Sequence, residues 1–79
     1  MISEPIVIAQ YAKCPHCPAW VITHGAHCRK IREQTLLLSC RVQTCSQEFE
    51  VDYGSTKMFN VPASWVDRGY FYIGELDHL

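Results

Sequence analysis

No apolar run in this sequence approaches the roughly eighteen residues that a membrane-spanning helix requires, which excludes a helical span. There is no internal repeat and no low-complexity tract, so neither a solenoid nor a disordered linker is expected. The basic n-region of an export signal is missing: residues 1–11 carry Glu4 and Pro5 where positive charge would sit, and the expected setting is the reducing cytoplasm. Catalytic apparatus is absent as well. No Ser-His-acid set, Gly-rich phosphate loop or open-shell metal motif can be read, and Asp52, Asp67, Glu75 and Asp77 are spaced like a solvated face. The expectation is a protein that is not an enzyme.

Charge of one sign is also scarce. The net charge is −1, but residues 13–41 carry +4 through Lys13, Arg29, Lys30, Arg32 and Arg41 against Glu33. Residues 42–79 carry −4, with Glu48, Glu50, Asp52, Asp67, Glu75 and Asp77 outnumbering Lys57 and Arg68. Such a balance excludes a polyanion sponge. The 79 residues make a single domain, 1–79. A chain of this size buries little apolar surface and usually adds a metal, a disulfide or a partner.

What the sequence does have is cysteine. Cys14 and Cys17 are separated by two residues, Cys40 and Cys45 by four, and the pairs by 22. In a reducing compartment such pairs are more often metal ligands or redox groups than disulfides, and five cysteines leave one over in any all-disulfide scheme. Zinc takes four soft or borderline ligands tetrahedrally, and a two-residue gap lets one turn present two sulfurs to one ion. One structural zinc held by Cys14, Cys17, Cys40 and Cys45 is therefore expected; four thiolates close its shell. A four-thiolate iron centre has the same spacing. A thioredoxin-like role for Cys14 and Cys17 would need a βαβ context, which the proline-flanked turn does not supply. Cys28 reads as a spare thiol, with a weaker second metal set from His24, His27 and Cys28. His16 is expected to face solvent.

The elements around the cysteines read mostly as β. Residues 5–13 begin with β-branched side chains and suit a strand, 14–18 a tight turn, 19–24 a second strand, and 34–40 a short apolar strand. Residues 25–33 are polar, begin with Gly, and read as the connection of a hairpin between the cysteine pairs. Residues 49–53 alternate apolar and acidic, and Phe49 is placed to shield the site. The tail allows two readings: a helical turn at 62–68 opened by Pro62, or two strands, at 64–66 and 70–73, separated by a turn at 67–69. The fold class is a small, mostly-β, zinc-ribbon-like domain. Its core spans 12–53, preceded by an N-terminal strand, and a C-terminal extension at 54–79 packs on the core or forms an interface.

Cys14-Pro15-His16-Cys17, then 22 residues, then Cys40-Arg41-Val42-Gln43-Thr44-Cys45-Ser46-Gln47-Glu48-Phe49, resembles the Ogr/Delta zinc-finger proteins of temperate phages over residues 12–53. The resemblance implies a small zinc-binding activator of phage late-gene transcription, with these four cysteines as its ligands. It also implies contact with DNA upstream of promoters and with the host RNA polymerase alpha subunit. Arg29, Lys30, Arg32 and Arg41 are the candidate phosphate contacts. The alternative is a phage or mobile-element module that binds and modulates another host protein without binding DNA. Trp65, Tyr70 and Tyr72, with Phe71, would supply its partner surface, unless the tail folds back and these rings complete the core. A homodimer through tail strands would serve either reading.

Overall fold

The computed structural model describes residues 4–25 and 28–79. Strand β1 (Ile6–Lys13) and strand β2 (Ala19–Ile22) form an antiparallel pair, Tyr11 opposite Ile22 and Lys13 opposite Trp20. The two prolines at 15 and 18 bar continued strand pairing through the connecting turn, which is closed by the Cys14 amide donating to Ala19 O at 3.0 Å. A second sheet follows in chain order: β3 (Cys28–Arg32), β4 (Thr35–Ser39) and β5 (Glu48–Asp52), all antiparallel. The chain then returns as β6 (Lys57–Pro62) alongside β1, a short helix α1 (Ala63–Arg68), and β7 (Tyr70–Tyr72) alongside β2. The first sheet has the order β6-β1-β2-β7, and a 3-10 turn at Ile73–His78 ends the chain.

Side chains alternate between the faces of a strand, so β1 and β2 serve two cores at once. Ala9, Tyr11, Ile22, Val61 and Phe71 lie on one face, covered by Trp65 and Val66 of α1 and by Leu76. Rings interlock there: Phe71 sits edge-on to Tyr11 at 4.8 Å and to Phe59 at 5.1 Å, and stacks on Trp65 at 5.3 Å. Each such pair contributes about 0.5–1.5 kcal/mol beyond its buried area. Ala12, Ala19 and Val21 lie on the opposite face and meet Leu38 and Phe49 of the second sheet and Cys40 and Val42 of its β4–β5 turn. The cysteines sit in this second core.

The small mostly-β, ribbon-like class is as expected, and so are the strands near 5–13, 19–24, 34–40 and 49–53. Phe49 is buried where it was expected to be. Two features differ. Residues 25–33 are not merely a connection, because Cys28–Arg32 is a strand in its own right. The expected hairpin partner of β4 was β2, but β2 pairs with β1 and β7, and β4 takes β3. The physical reason is that an edge strand of a three-stranded sheet needs few apolar residues and favours charged ones. The tail combines the two readings: 63–68 is helical, 70–72 is a strand, and Gly69 closes the helix in the left-handed conformation (φ 90°). Strand β6 had no sequence expectation. Trp65, expected as a partner contact, is half-buried against Phe71 and completes the first core.

Candidate metal centre

The four cysteines reach one point from two turns. Cys14 directly follows β1 and Cys17 lies within the 14–18 turn, while Cys40 follows β4 and Cys45 precedes β5. The second turn is held by Cys45 and Ser46 amides, each donating to Val42 O at 2.9 Å, and by the Cys40 amide donating to Gln47 O at 3.0 Å. Ser46 takes a left-handed φ of 53° to complete it, and its hydroxyl donates back to Gln43 O at 3.1 Å. A four-residue gap therefore does here what a two-residue gap does in the first turn.

The four sulfurs all lie within 4.8 Å of one another. Cys14 Sγ is 3.8 Å from Cys45 Sγ, and Cys17 Sγ is 3.7 Å from Cys40 Sγ. A disulfide would bring a pair to about 2.05 Å, and no cysteine is so bonded among the described residues. A regular tetrahedron with metal–sulfur bonds of about 2.3 Å has edges of about 3.8 Å. The donor set and its spacing thus fit a metal ion held by four sulfurs, two from the β1–β2 turn and two from the β4–β5 turn.

The thiols differ in their surroundings. Burial pushes the Cys14 thiol up and the Cys40 thiol up to about 12, a cost that a bound cation would offset. The Gln47 amide beside Cys45 draws that thiol down. The His16 amide donates to Cys14 Sγ at 3.4 Å, and the Val42 amide does the same for Cys40. Four thiolates around a divalent ion leave two negative charges, which these dipoles offset. Lys13 was not anticipated by sequence reasoning. Its Nζ donates to the Cys14 and Cys17 carbonyls, both at 2.8 Å, placing an ammonium on the knuckle. Its position directly before the first cysteine was the available signal.

Cys28 lies outside the set. Its Sγ donates to Thr23 O at 3.0 Å, and burial raises its pKa, as for an inert thiol. In the alternative set His24 is exposed and His27 lies outside the described residues. His16 is exposed, as expected.

The candidate phosphate contacts are not brought together. Arg29, Lys30 and Arg32 are exposed on β3, but consecutive Arg29 and Lys30 point to opposite faces. Arg32 is ion-paired to Glu50 across the sheet. Arg41 is folded inward over two glycines: a Cβ at Gly69 would meet its Nη1 at 2.7 Å, and one at Gly25 its Nη2 at 3.1 Å. Of the candidate partner contacts, Tyr70 is half-buried against the metal-bearing core and Tyr72 is exposed. Tyr72 stands opposite Ala19, two residues past Cys17, on the sheet face that carries the cysteine-bearing core, and desolvation together with the nearby charges of Tyr70, Cys17, Cys40 and Glu75 pushes its hydroxyl pKa up. Ile73, 53% exposed, adjoins it and was not singled out from sequence.

Among the described residues no helix is long and apolar enough to cross a membrane. No family model, curated protein or solved structure matches this chain.

Proposed function

We propose that the protein is a non-enzymatic interaction module, folded around one structural zinc and binding another protein through the surface beside the metal. The observation that carries this reading is the exposed Tyr72 on the sheet face of the cysteine cluster, followed in the chain by exposed Ile73 and set against cations that are dispersed or already engaged. Zinc is the ion of choice because it has no geometric preference opposing a closed tetrahedral sulfur shell. Its role is to join the two knuckles and so the two sheets. Reduced thiols suit the cytoplasmic setting that the sequence suggests. By the Ogr/Delta resemblance, the first partner to test is the RNA polymerase alpha subunit, and a different host protein is the alternative.

The test is binding of zinc-loaded protein to purified alpha subunit, alongside nuclease-treated capture from bacterial lysate. Tyr72→Ala combined with Ile73→Ser is expected to weaken capture at least about tenfold with zinc content unchanged, since an exposed aromatic anchor concentrates binding energy. Capture that ignores this variant would remove the reading. A second reading, a DNA-contacting regulator of late promoters, draws on exposed Arg29 and Lys30. It requires promoter binding that falls steeply with salt and weakens in Arg29→Ala or Lys30→Ala.

A further inference from the structure

The two sheets have four outer strands, β3, β5, β6 and β7, and an outer strand with free main-chain groups is a template for another strand. Three of them are blunted. Strand β3 has a register irregularity between Lys30 and Arg32 and exposes Arg29, Lys30 and Arg32. Strand β5 exposes Glu48, Glu50 and Asp52. Strand β7 is closed by the chain's own tail: Arg68 Nε donates to Tyr70 O at 2.9 Å, and the Tyr72 amide donates to Glu75 Oε2 at 2.7 Å.

Strand β6 has none of these devices. On β1, Gln10 and Cys14 turn their main-chain groups away from β6, as the Thr23 amide to Gln10 O and the Cys14 amide to Ala19 O show, both at 3.0 Å. Alternation then directs Val7, Ala9 and Tyr11 toward β6, so their partners Val61, Phe59 and Lys57 turn inward. Met58 and Asn60 consequently aim both N–H and C=O outward, and no described residue is hydrogen-bonded to those groups. The side chains there are apolar. Ile6, Ile8 and Met58 share the sheet face that, farther along β1, Ala12 buries against the second sheet; here they are 57%, 67% and 61% exposed. Lys57 is the strand's only charged residue.

We propose that β6 is the interface of a homodimer, two copies pairing antiparallel across a two-fold axis at Phe59. In that register Met58 faces Asn60 of the second copy and Asn60 faces its Met58, so every outward group of both residues is paired. Pro62, which has no N–H, ends the ladder and helps to fix the register. Lys57 faces Val61 of the second copy, which sets the two ammonium-bearing positions roughly 14 Å apart along the strand, beyond a Debye length at physiological salt. The apolar side chains of both copies then flank one continuous sheet. A second copy is favoured over a foreign strand because the outward donors and acceptors at Met58 and Asn60 satisfy one another in this register while the only like charges, the two Lys57 ammonium groups, stay apart. This interface is separate from the Tyr72 surface and stands whether or not that surface binds a partner.

Sedimentation equilibrium of the full zinc-loaded chain is expected to give about twice the 9.1 kDa chain mass at high micromolar concentration. Met58→Lys and Ile8→Lys, both at exposed positions, are each expected to raise the dimer dissociation constant at least about tenfold with metal content unchanged. Should either variant misfold, amide exchange of the wild type substitutes: the Met58 and Asn60 amides should slow as concentration rises. A wild type that stays monomeric, a dimer indifferent to Met58→Lys, amides that exchange at one rate at all concentrations, or a dimer lost instead in Arg29→Glu would each overturn the proposal.

Discussion

Arg41 directly follows Cys40 of the four-cysteine cluster, and its side chain lies over Gly25 and Gly69. Its buried Nε has no partner among the described residues, so it acts chiefly through its stem and plane. Gly69→Ala imposes two costs, a left-handed φ of 90° and a Cβ within 2.8 Å of Arg41 Cγ. Together they should destabilise the metal-loaded protein by about 1–3 kcal/mol in urea titrations. Adding Arg41→Ala should recover part of that loss, because the clash is a pairwise term while the φ strain is not; a purely additive pair would show that Arg41 yields freely. Serine at Cys14, Cys17, Cys40 or Cys45 should abolish metal uptake and folding, whereas Cys28→Ser should keep both, read by zinc content and circular dichroism. Loss of metal in Cys28→Ser would mean that the ligand set is wrong. The four-cysteine cluster was legible because a cysteine gap is a local property of the chain. The role of Arg41 was not, because Gly25, Arg41 and Gly69 come from three separate segments.

At the level of elements, the C-terminal segment shows how short pieces hold. Helix α1 has six residues and no side chain of its own capping it, too short to stand alone. Glu4 accepts from the Ser64 amide at its start (2.9 Å), and Phe71 supports it through Trp65. Its last residue, Arg68, pairs with Glu75 at 2.9 Å, with its guanidinium 4.8 Å from the Tyr70 ring centroid. Partial burial pulls the Glu75 carboxyl upward, but the Tyr72 amide and Arg68 outweigh it, and the net pKa is lowered from 4.5. A lowered carboxylate stabilises the fold fully above its unfolded value and loses that contribution as pH falls through the folded one. The contribution is therefore complete above about pH 4.5 and drains away below it. Thermal melts should show Glu75→Gln less stable than wild type at neutral pH, by about 1 kcal/mol or less for a partly exposed pair. The gap should close in acid; an equal gap at both pH values would detach the effect from ionisation. The helix and β7 were each half-legible, since Pro62 and the aromatic run at 70–72 point to different structures. Strand β3 was misread because polarity describes an edge strand as well as it describes a loop.

For the whole molecule, the question is whether a metal held at the cysteine cluster would support one core or the entire fold. The cysteine cluster lies between the sheets, with two ligands from the β1–β2 side and two from the β4–β5 side. Near it, the β3–β4–β5 sheet rests on the four-stranded sheet through Leu38, Phe49, Cys40 and Val42. Both tryptophans pack in the other core, on the far face of β1 and β2. Those strands bury Ala12 and Val21 on one face and Tyr11 and Ile22 on the other, so neither core keeps its frame without them. That double duty was not legible in the sequence, because an apolar run such as residues 5–13 does not say which half is covered on both faces. A domain of this size has little stability to lose, and binding an ion at such a cluster would add to its folding free energy. Chelation should therefore redden the emission of Trp20 and Trp65 over the same range of chelator in which metal leaves and the β signal is lost, although neither ring touches the site. Tryptophan emission that held steady while the β signal fell would show the aromatic core folding independently, with the metal clamping only the β3–β5 sheet onto it.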